Sequence, residues 1–88
     1  MVKGTTKTGF EFEFDELRLD DMEFVELAAA VDENFTLLPK LLNMVLGEEQ
    51  KKRLYDHLRT EDGRVPTQAI GGAMEEIFAA AGDQSKNS

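Results

Sequence analysis

The feature that most constrains the fold is a strict alternation of phenylalanine and acidic residues near the start of the chain, FEFEFD at residues 10–15. Because successive side chains of a strand point to opposite faces, the pattern predicts a strand with one aromatic and one acidic face. Val2 to Thr6 is expected to be its antiparallel partner, with Lys7-Thr8-Gly9 as the turn. A two-stranded ribbon is marginally stable alone, so its aromatic face must lie on helices or on another chain.

A first helix is predicted from Asp20 to Val31. Asp20 can serve as its N-cap, and Glu23 three residues later completes a pair similar to a capping box, with Asp in place of the usual Ser or Thr. Four apolar residues follow the helical spacing i, i+3, i+4 and i+7 and predict the buried face. These residues are Phe24, Leu27, Ala28 and Val31. The polar residues that follow are expected to break the helix.

A second helix is predicted from about Phe35 or Thr36 to Leu46. Pro39 falls in its first turn, where a missing backbone N–H leaves no hydrogen bond unmade. Apolar residues cover much of its circumference, which is typical of either a central helix or a helix partly covered by a partner. Gly47 is expected to end this helix, as a glycine commonly does just beyond a helix C-terminus.

Two further helices are expected. Glu48-Glu49 opens a third helix, whose narrow buried stripe holds Leu54 and Leu58. A last helix is predicted from Val65 to about Ala81, and Gly82 is expected to stop it. The apolar face of this last helix is predicted to consist of Ile70, Ala73, Met74, Ile77 and Phe78.

The predicted fold is therefore mainly α, with about four short helices and an N-terminal β-ribbon in the form of a hairpin. We expect one compact domain over residues 1–82, with the ribbon over 1–15 and the helices over 20–81. Residues 83–88 are polar and lack periodicity, and they are predicted to be a disordered tail.

The charge of the chain is negative and uneven. The net charge is −8, yet residues 11–33 alone hold ten acids against the single base Arg18, and residues 40–59 hold five bases against three acids. A negative chain repels phosphate backbones, so nucleic acid is not an expected partner. The acids either keep a small domain soluble and cap its first helix, or they steer a basic partner or a basic patch of a neighbouring copy. The sequence leaves both interpretations open.

No catalytic, cofactor-binding or metal site is predicted. Cysteine is absent and His57 is the only histidine, so the usual nucleophile–base pairs and zinc ligand sets are lacking, and no enzymatic activity is expected. Gly71-Gly72 lies within a predicted helix, where each glycine costs about 1 kcal/mol relative to alanine. The pair indicates either close approach of a neighbouring helix or a flexible point that lets the last helix re-pack on a partner.

The composition predicts a cytoplasmic chain. The lack of cysteine is typical of a reducing compartment. The first residues carry no apolar stretch of the kind a signal peptide has, and no run is apolar enough to span a bilayer, so no membrane association is expected.

The apolar side chains of the ribbon and the second helix exceed what a thin domain of this size is expected to bury. Such an aromatic stripe is most often core. The alternative is an interaction surface, because three aromatic side chains on a short ribbon are a large apolar load for so small a domain. The predicted partner-binding residues are Phe10, Phe12, Phe14, Leu38, Leu42 and Val45. The open edges of the ribbon also favour pairing with a second copy, which would give a homo-oligomer.

Five stretches in this order carry a resemblance to a known family: TGFEFEFD (residues 8–15), DDME (20–23), VLGEEQ (45–50), LRTEDGRVP (58–66) and SKNS (85–88). Across nearly its whole length the chain resembles the small tail assembly chaperones of long-tailed bacteriophages and prophages of Gram-positive bacteria. The resemblance implies a factor of the host cytoplasm that binds the tape measure protein, assists recruitment of the major tail protein into the tail tube, and is absent from the mature virion.

Two other classes of protein remain as alternatives. One is a structural virion component such as a head–tail connector subunit, which would be found in purified particles. The other is an acidic regulatory module that binds a DNA-binding protein by imitating DNA. The acids are scattered between core positions and do not form paired rows, which makes the second alternative the weaker one.

Overall fold

The computed structural model describes residues 1–86, with side chains through Gly82. Within that part of the chain, the elements are the strands β1 (Val2–Thr5) and β2 (Glu11–Phe14) and the helices α1 (Met22–Glu33), α2 (Leu38–Leu58) and α3 (Thr67–Lys86). Short 3-10 turns precede α1 and α2, at Glu16–Arg18 and Phe35–Leu37. The prediction of a mainly helical fold with an N-terminal hairpin is confirmed, but the described residues form three helices and not about four.

The hairpin is antiparallel, and its register pairs Val2 with Phe14 and Gly4 with Phe12. Gly9 closes the turn with φ +94°, a backbone conformation that glycine adopts without a steric penalty. Gly4 lets the aromatic ring opposite it lie across β1, because a Cβ on Gly4 would be only 2.8 Å from Phe12 Cζ. The aromatic face of the ribbon is therefore packed against its own partner strand as well as against the helices.

The sequence predicted Asp20 as the N-cap of α1, but the N-cap is Asp21. Asp21 has extended backbone angles, and its carboxylate accepts the backbone N–H of Glu23 at 2.9 Å. No residue of α1 is fully buried. Its inner face, which is the predicted one, packs partly buried against the core, and Phe24 makes an edge-to-face contact with Phe78 of α3 at a centroid distance of 5.9 Å.

The predicted second and third helices are one bent helix, α2. Gly47 adopts the left-handed region (φ +84°, ψ +163°) that was expected of a terminating glycine, but the chain resumes the helix at once. Side chains from elsewhere bond the carbonyl groups that the break leaves free. Arg18 Nη1 donates to the Val45 carbonyl at 3.2 Å, and Gln50 Nε2 donates to the Leu46 carbonyl at 2.8 Å. Gly47 therefore breaks the helix where the sequence predicted, but a second helical segment follows it directly, so the two segments together form the kinked helix α2.

The last helix continues beyond its predicted end. Gly82 does not stop α3, which extends to Lys86, since one helical glycine costs only about 1 kcal/mol. Residues 83–86, which were predicted to belong to a disordered tail, thus lie in the helix. Residues 87–88 of that predicted tail lie outside the described residues.

The buried core of the described residues lies between the hairpin, α2 and α3, and α1 covers one side of it. Its apolar members are Val2, Phe10, Phe12, Phe14, Leu38, Leu41, Leu42, Val45, Leu46, Leu54, Ile70, Ala73, Met74, Ile77 and Ala81. Within residues 1–86, none of the helices has both the length and the apolar character needed to cross a membrane.

Candidate protein-binding surface

The six residues predicted to bind a partner lie inside the molecule. None of them is more than 6% exposed. They are Phe10, Phe12, Phe14, Leu38, Leu42 and Val45. The hairpin lays its aromatic face over the helices, so a single copy of the chain buries the whole aromatic stripe. Of the six residues, Leu38 lines the apolar hollow described below.

The outer edge of β2 is also partly occupied. The Gln50 side chain bonds both outward-facing backbone groups of Glu13, because its Oε1 accepts the Glu13 N–H at 2.9 Å and its Nε2 donates to the Glu13 carbonyl at 2.7 Å. Near the turn, the backbone N–H of Lys7 donates to Glu76 of α3 at 2.8 Å. The ribbon-edge pairing that was expected would have to displace the Gln50 contacts.

The apolar surface that does remain is centred on Phe35, whose side chain is 49% exposed. Phe35 lies in the turn between α1 and α2, and Asn34 fixes the start of that turn by accepting the Thr36 N–H at 3.2 Å. Beside the ring lies a hollow of about 290 Å³. Its apolar lining consists of Phe35, Leu38, Pro39, Tyr55, Val65 and Ile70.

A second hollow of about 400 Å³ is also lined by Phe35. It is lined by Phe35, Gly71, Gly72 and Glu75, among others, and shares Thr67 with the first hollow. A Cβ on Gly71 would lie 4.0 Å from Phe35 Cζ, whereas nothing lies within 4 Å of one on Gly72. Gly72 therefore faces open space, and close approach of a neighbouring helix does not explain it. We refer to the two hollows together as the Phe35 groove.

A separate apolar strip lies on the outward side of α1. Met22 is 70% and Val25 is 50% exposed, and Ala29 is exposed as well. These three residues follow the spacing i, i+3 and i+7, so they form one stripe along the helix. We call this stripe the α1 outer face.

Of the residues predicted to bind a partner, Leu38 lines the Phe35 groove, but neither Phe35 nor the α1 outer face was predicted from the sequence. Phe35 lies outside every predicted buried face, and Met22 and Val25 lie opposite the predicted inner face of α1. The pair Gly71-Gly72 was predicted to lie inside a helix, but its position near Phe35 depends on how α2 and α3 pack.

The polar groups of the chain serve local structure. His57 Nε2 lies 3.0 Å from the Thr8 carbonyl oxygen and therefore ties α2 to the hairpin turn. The N-terminal ammonium, 2.8 Å from a Glu16 carboxylate oxygen, lowers the pKa of that carboxyl. Hydrogen bonds from Thr60 and then from Arg64 lower the pKa of the Asp62 carboxyl. All these groups are exposed, and each one orders a turn or a terminus.

In the part of the chain that the structure describes, no three His, Cys, Asp or Glu side chains lie close enough together to hold a metal ion. The acids are instead spread along the surface. The arrangement provides apolar surface and negative charge, which are the means by which one protein binds another.

The chain was compared with models of protein families, with curated proteins and with solved structures, and no match was found in any of the three comparisons.

Proposed function

We propose that this chain is a protein-binding module whose Phe35 groove takes apolar side chains from one face of a helical client. The observation that carries the proposal is a half-exposed phenylalanine that lines two hollows, in a chain that buries its other phenylalanines more completely. Hot spots of protein–protein interfaces commonly consist of an aromatic side chain at the centre of an apolar depression.

The shape of the groove favours side chains of a protein over a small molecule. The more apolar hollow, of about 290 Å³, is at the lower end of the sizes that hold a ligand of drug size. A helix presents anchors at i, i+3 or i+4 and i+7, and two such anchors can enter two adjoining hollows that share Phe35 and Thr67. The exposed Gly72 gives the client backbone room to approach α3.

Within this class we propose a tail assembly chaperone of a long-tailed phage or prophage. Its client is the tape measure protein, whose long helical length it keeps soluble, and it assists recruitment of tail tube subunits. The residue stretches that resemble this family support the proposal, together with the acidic exterior of the chain. The protein acts in the host cytoplasm without a cofactor, catalyses nothing and does not remain in the mature virion. The capture site proposed here is the Phe35 groove, in place of the buried aromatic ribbon.

The test is co-expression with the tape measure protein encoded in the same genome, followed by measurement of its soluble fraction and of the dissociation constant for a fragment. Phe35→Ser is expected to weaken binding by about 2 kcal/mol, as loss of a hot-spot aromatic does. Leu17→Ser is the matched control, because Leu17 is 69% exposed and does not line the groove.

Three results would contradict parts of the proposal. Wild-type binding by Phe35→Ser would exclude the groove as the capture site. Failure of the unaltered chain to bind any tape measure fragment would exclude the client. Finding the protein in purified particles would favour a structural virion component over a chaperone.

A further inference from the structure

The α1 outer face combines apolar exposure with charge of a single sign. Six acids lie between Asp20 and Glu33, and no Lys or Arg occurs from Leu19 to Pro39. Two of these acids adjoin the apolar stripe, because Glu26 follows Met22 at i+4 and Asp32 follows Val25 at i+7. The stripe is therefore bordered by negative charge.

Among the side chains that the structure describes, these carboxylates have no cationic partner. None of the ion pairs formed by the described side chains involves an acid between Asp20 and Glu33. The one side-chain role found for them is the cap that Asp21 provides to α1. As no three of them converge to hold a metal ion in the described part of the chain, the acids form an extended negative field.

From these observations we infer that the α1 outer face is a second docking surface, and that its partner is an amphipathic helix whose apolar stripe is flanked by Lys or Arg. A wholly apolar partner would cover the stripe and leave the bordering carboxylates unpaired. Nucleic acid and anionic lipid surfaces would be repelled by them. A basic amphipathic helix can cover the apolar stripe and pair with the bordering carboxylates at the same time.

A second copy of this chain is a poorer occupant, because its bases are largely engaged. Lys51 lies over the ring of Tyr55 at 5.9 Å, and Arg53 lies over that of Phe10 at 5.6 Å. Two further bases are held in ion pairs with acids of their own segment. They are Arg59, which pairs with Asp56, and Arg64, which pairs with Asp62.

This inference does not depend on the client of the Phe35 groove, since the two surfaces share no residue. The chain would then hold two different partners at once, one recognised mainly by apolar shape and the other by charge around an apolar stripe.

The test uses two synthetic amphipathic helices with the same leucine stripe, one flanked by lysines and one by glutamates, titrated against the full chain by fluorescence anisotropy. The lysine peptide is expected to bind and the glutamate peptide is not. Affinity for the lysine peptide should fall with salt, because the screening length shortens from about 10 Å at 0.1 M to about 3 Å at 1 M.

Variants locate the site. Glu26→Lys and Val25→Ser are each expected to weaken binding of the lysine peptide at least about fivefold, as loss of a contact at a charged interface does. Glu61→Lys is the matched control for charge, because Glu61 is equally exposed but lies in the turn before α3. Phe35→Ser is the control for the groove, and neither control variant should change the affinity.

The inference is overturned if the two peptides bind equally, or if Glu61→Lys weakens binding as much as Glu26→Lys, since the effect would then be one of net charge. It is also overturned if Phe35→Ser abolishes binding while Val25→Ser does not, because the peptide would then occupy the groove. If the unaltered chain binds the lysine peptide but does not bind the tape measure protein, the proposed function is rejected and this inference stands.

Discussion

Helices α1 and α2 both carry apolar residues at helical spacing, but they differ in how deeply those residues are buried. Six residues of α2 are buried, whereas none of α1 is. The difference follows from position, because α2 contacts β2, α1 and α3, whereas α1 packs mainly on α2 and on the turn that contains Phe35. A periodic pattern thus defines which face of a helix turns inward, and the number of neighbours decides how much of that face is removed from water.

This comparison also separates a structural part of the molecule from an adaptable one. The hairpin, α2 and α3 share the core, and the candidate binding surfaces lie on α1 and around the turn that joins it to α2. Elements with few buried contacts open at low free-energy cost, which suits a surface that must fit a partner.

The largest effect expected is that of truncating the core of α2. Leu42 is fully buried, so Leu42→Ala should lower the free energy of unfolding by about 2–5 kcal/mol through lost burial and a cavity. Leu27→Ala on the half-buried face of α1 should cost about 1 kcal/mol. Urea denaturation measures both changes. Equal losses in the two variants would show that α1 belongs to the core as fully as α2 does.

A smaller effect is expected from adding a methyl group to two glycines. Gly4→Ala should destabilise the protein by about 1–3 kcal/mol, because the new Cβ would meet the buried Phe12 ring. Gly72→Ala faces open space on α3 and should stabilise by about 0.4–1 kcal/mol. Thermal unfolding compares the two. A stabilising Gly4→Ala would mean that the hairpin packs more loosely than α1.

The smallest effect expected is that of the α1 cap. Asp21→Ala removes the acceptor for the Glu23 N–H and should cost about 1 kcal/mol, whereas Asp20→Ala should be nearly neutral. Because α1 has little burial to hold it, amide hydrogen exchange should rise first in α1 and remain slow in α2. Uniform acceleration across all helices would show that α1 and α2 unfold together.

Local patterns predicted much of the fold. Short-range sequence patterns predicted the strand at residues 10–15, the turn glycine at position 9 and the inner face of α1. The break at Gly47 was also predicted. The sequence did not show that the helical segments on its two sides would be contiguous, with Arg18 and Gln50 bonding carbonyl groups at the kink.

The candidate surfaces were harder to predict than the fold. The Phe10, Phe12 and Phe14 stripe has the pattern of either a core or an interface, and the decision depends on whether α2 and α3 together present enough surface to cover it. The Phe35 groove brings the turn together with Tyr55 near the end of α2 and with α3, which are distant from Phe35 in sequence, so no local period indicates it.

Gln50 has a consequence for misfolding. Its amide occupies the backbone positions of Glu13 that an incoming strand would use, and the same amide bonds a carbonyl at the bend of α2. The Gln50 side chain thus makes the hydrogen bonds with Glu13 that a neighbouring strand would otherwise make. A residue that cannot offer both a donor and an acceptor there would leave the backbone N–H and carbonyl of Glu13 open to pairing with a strand of another chain.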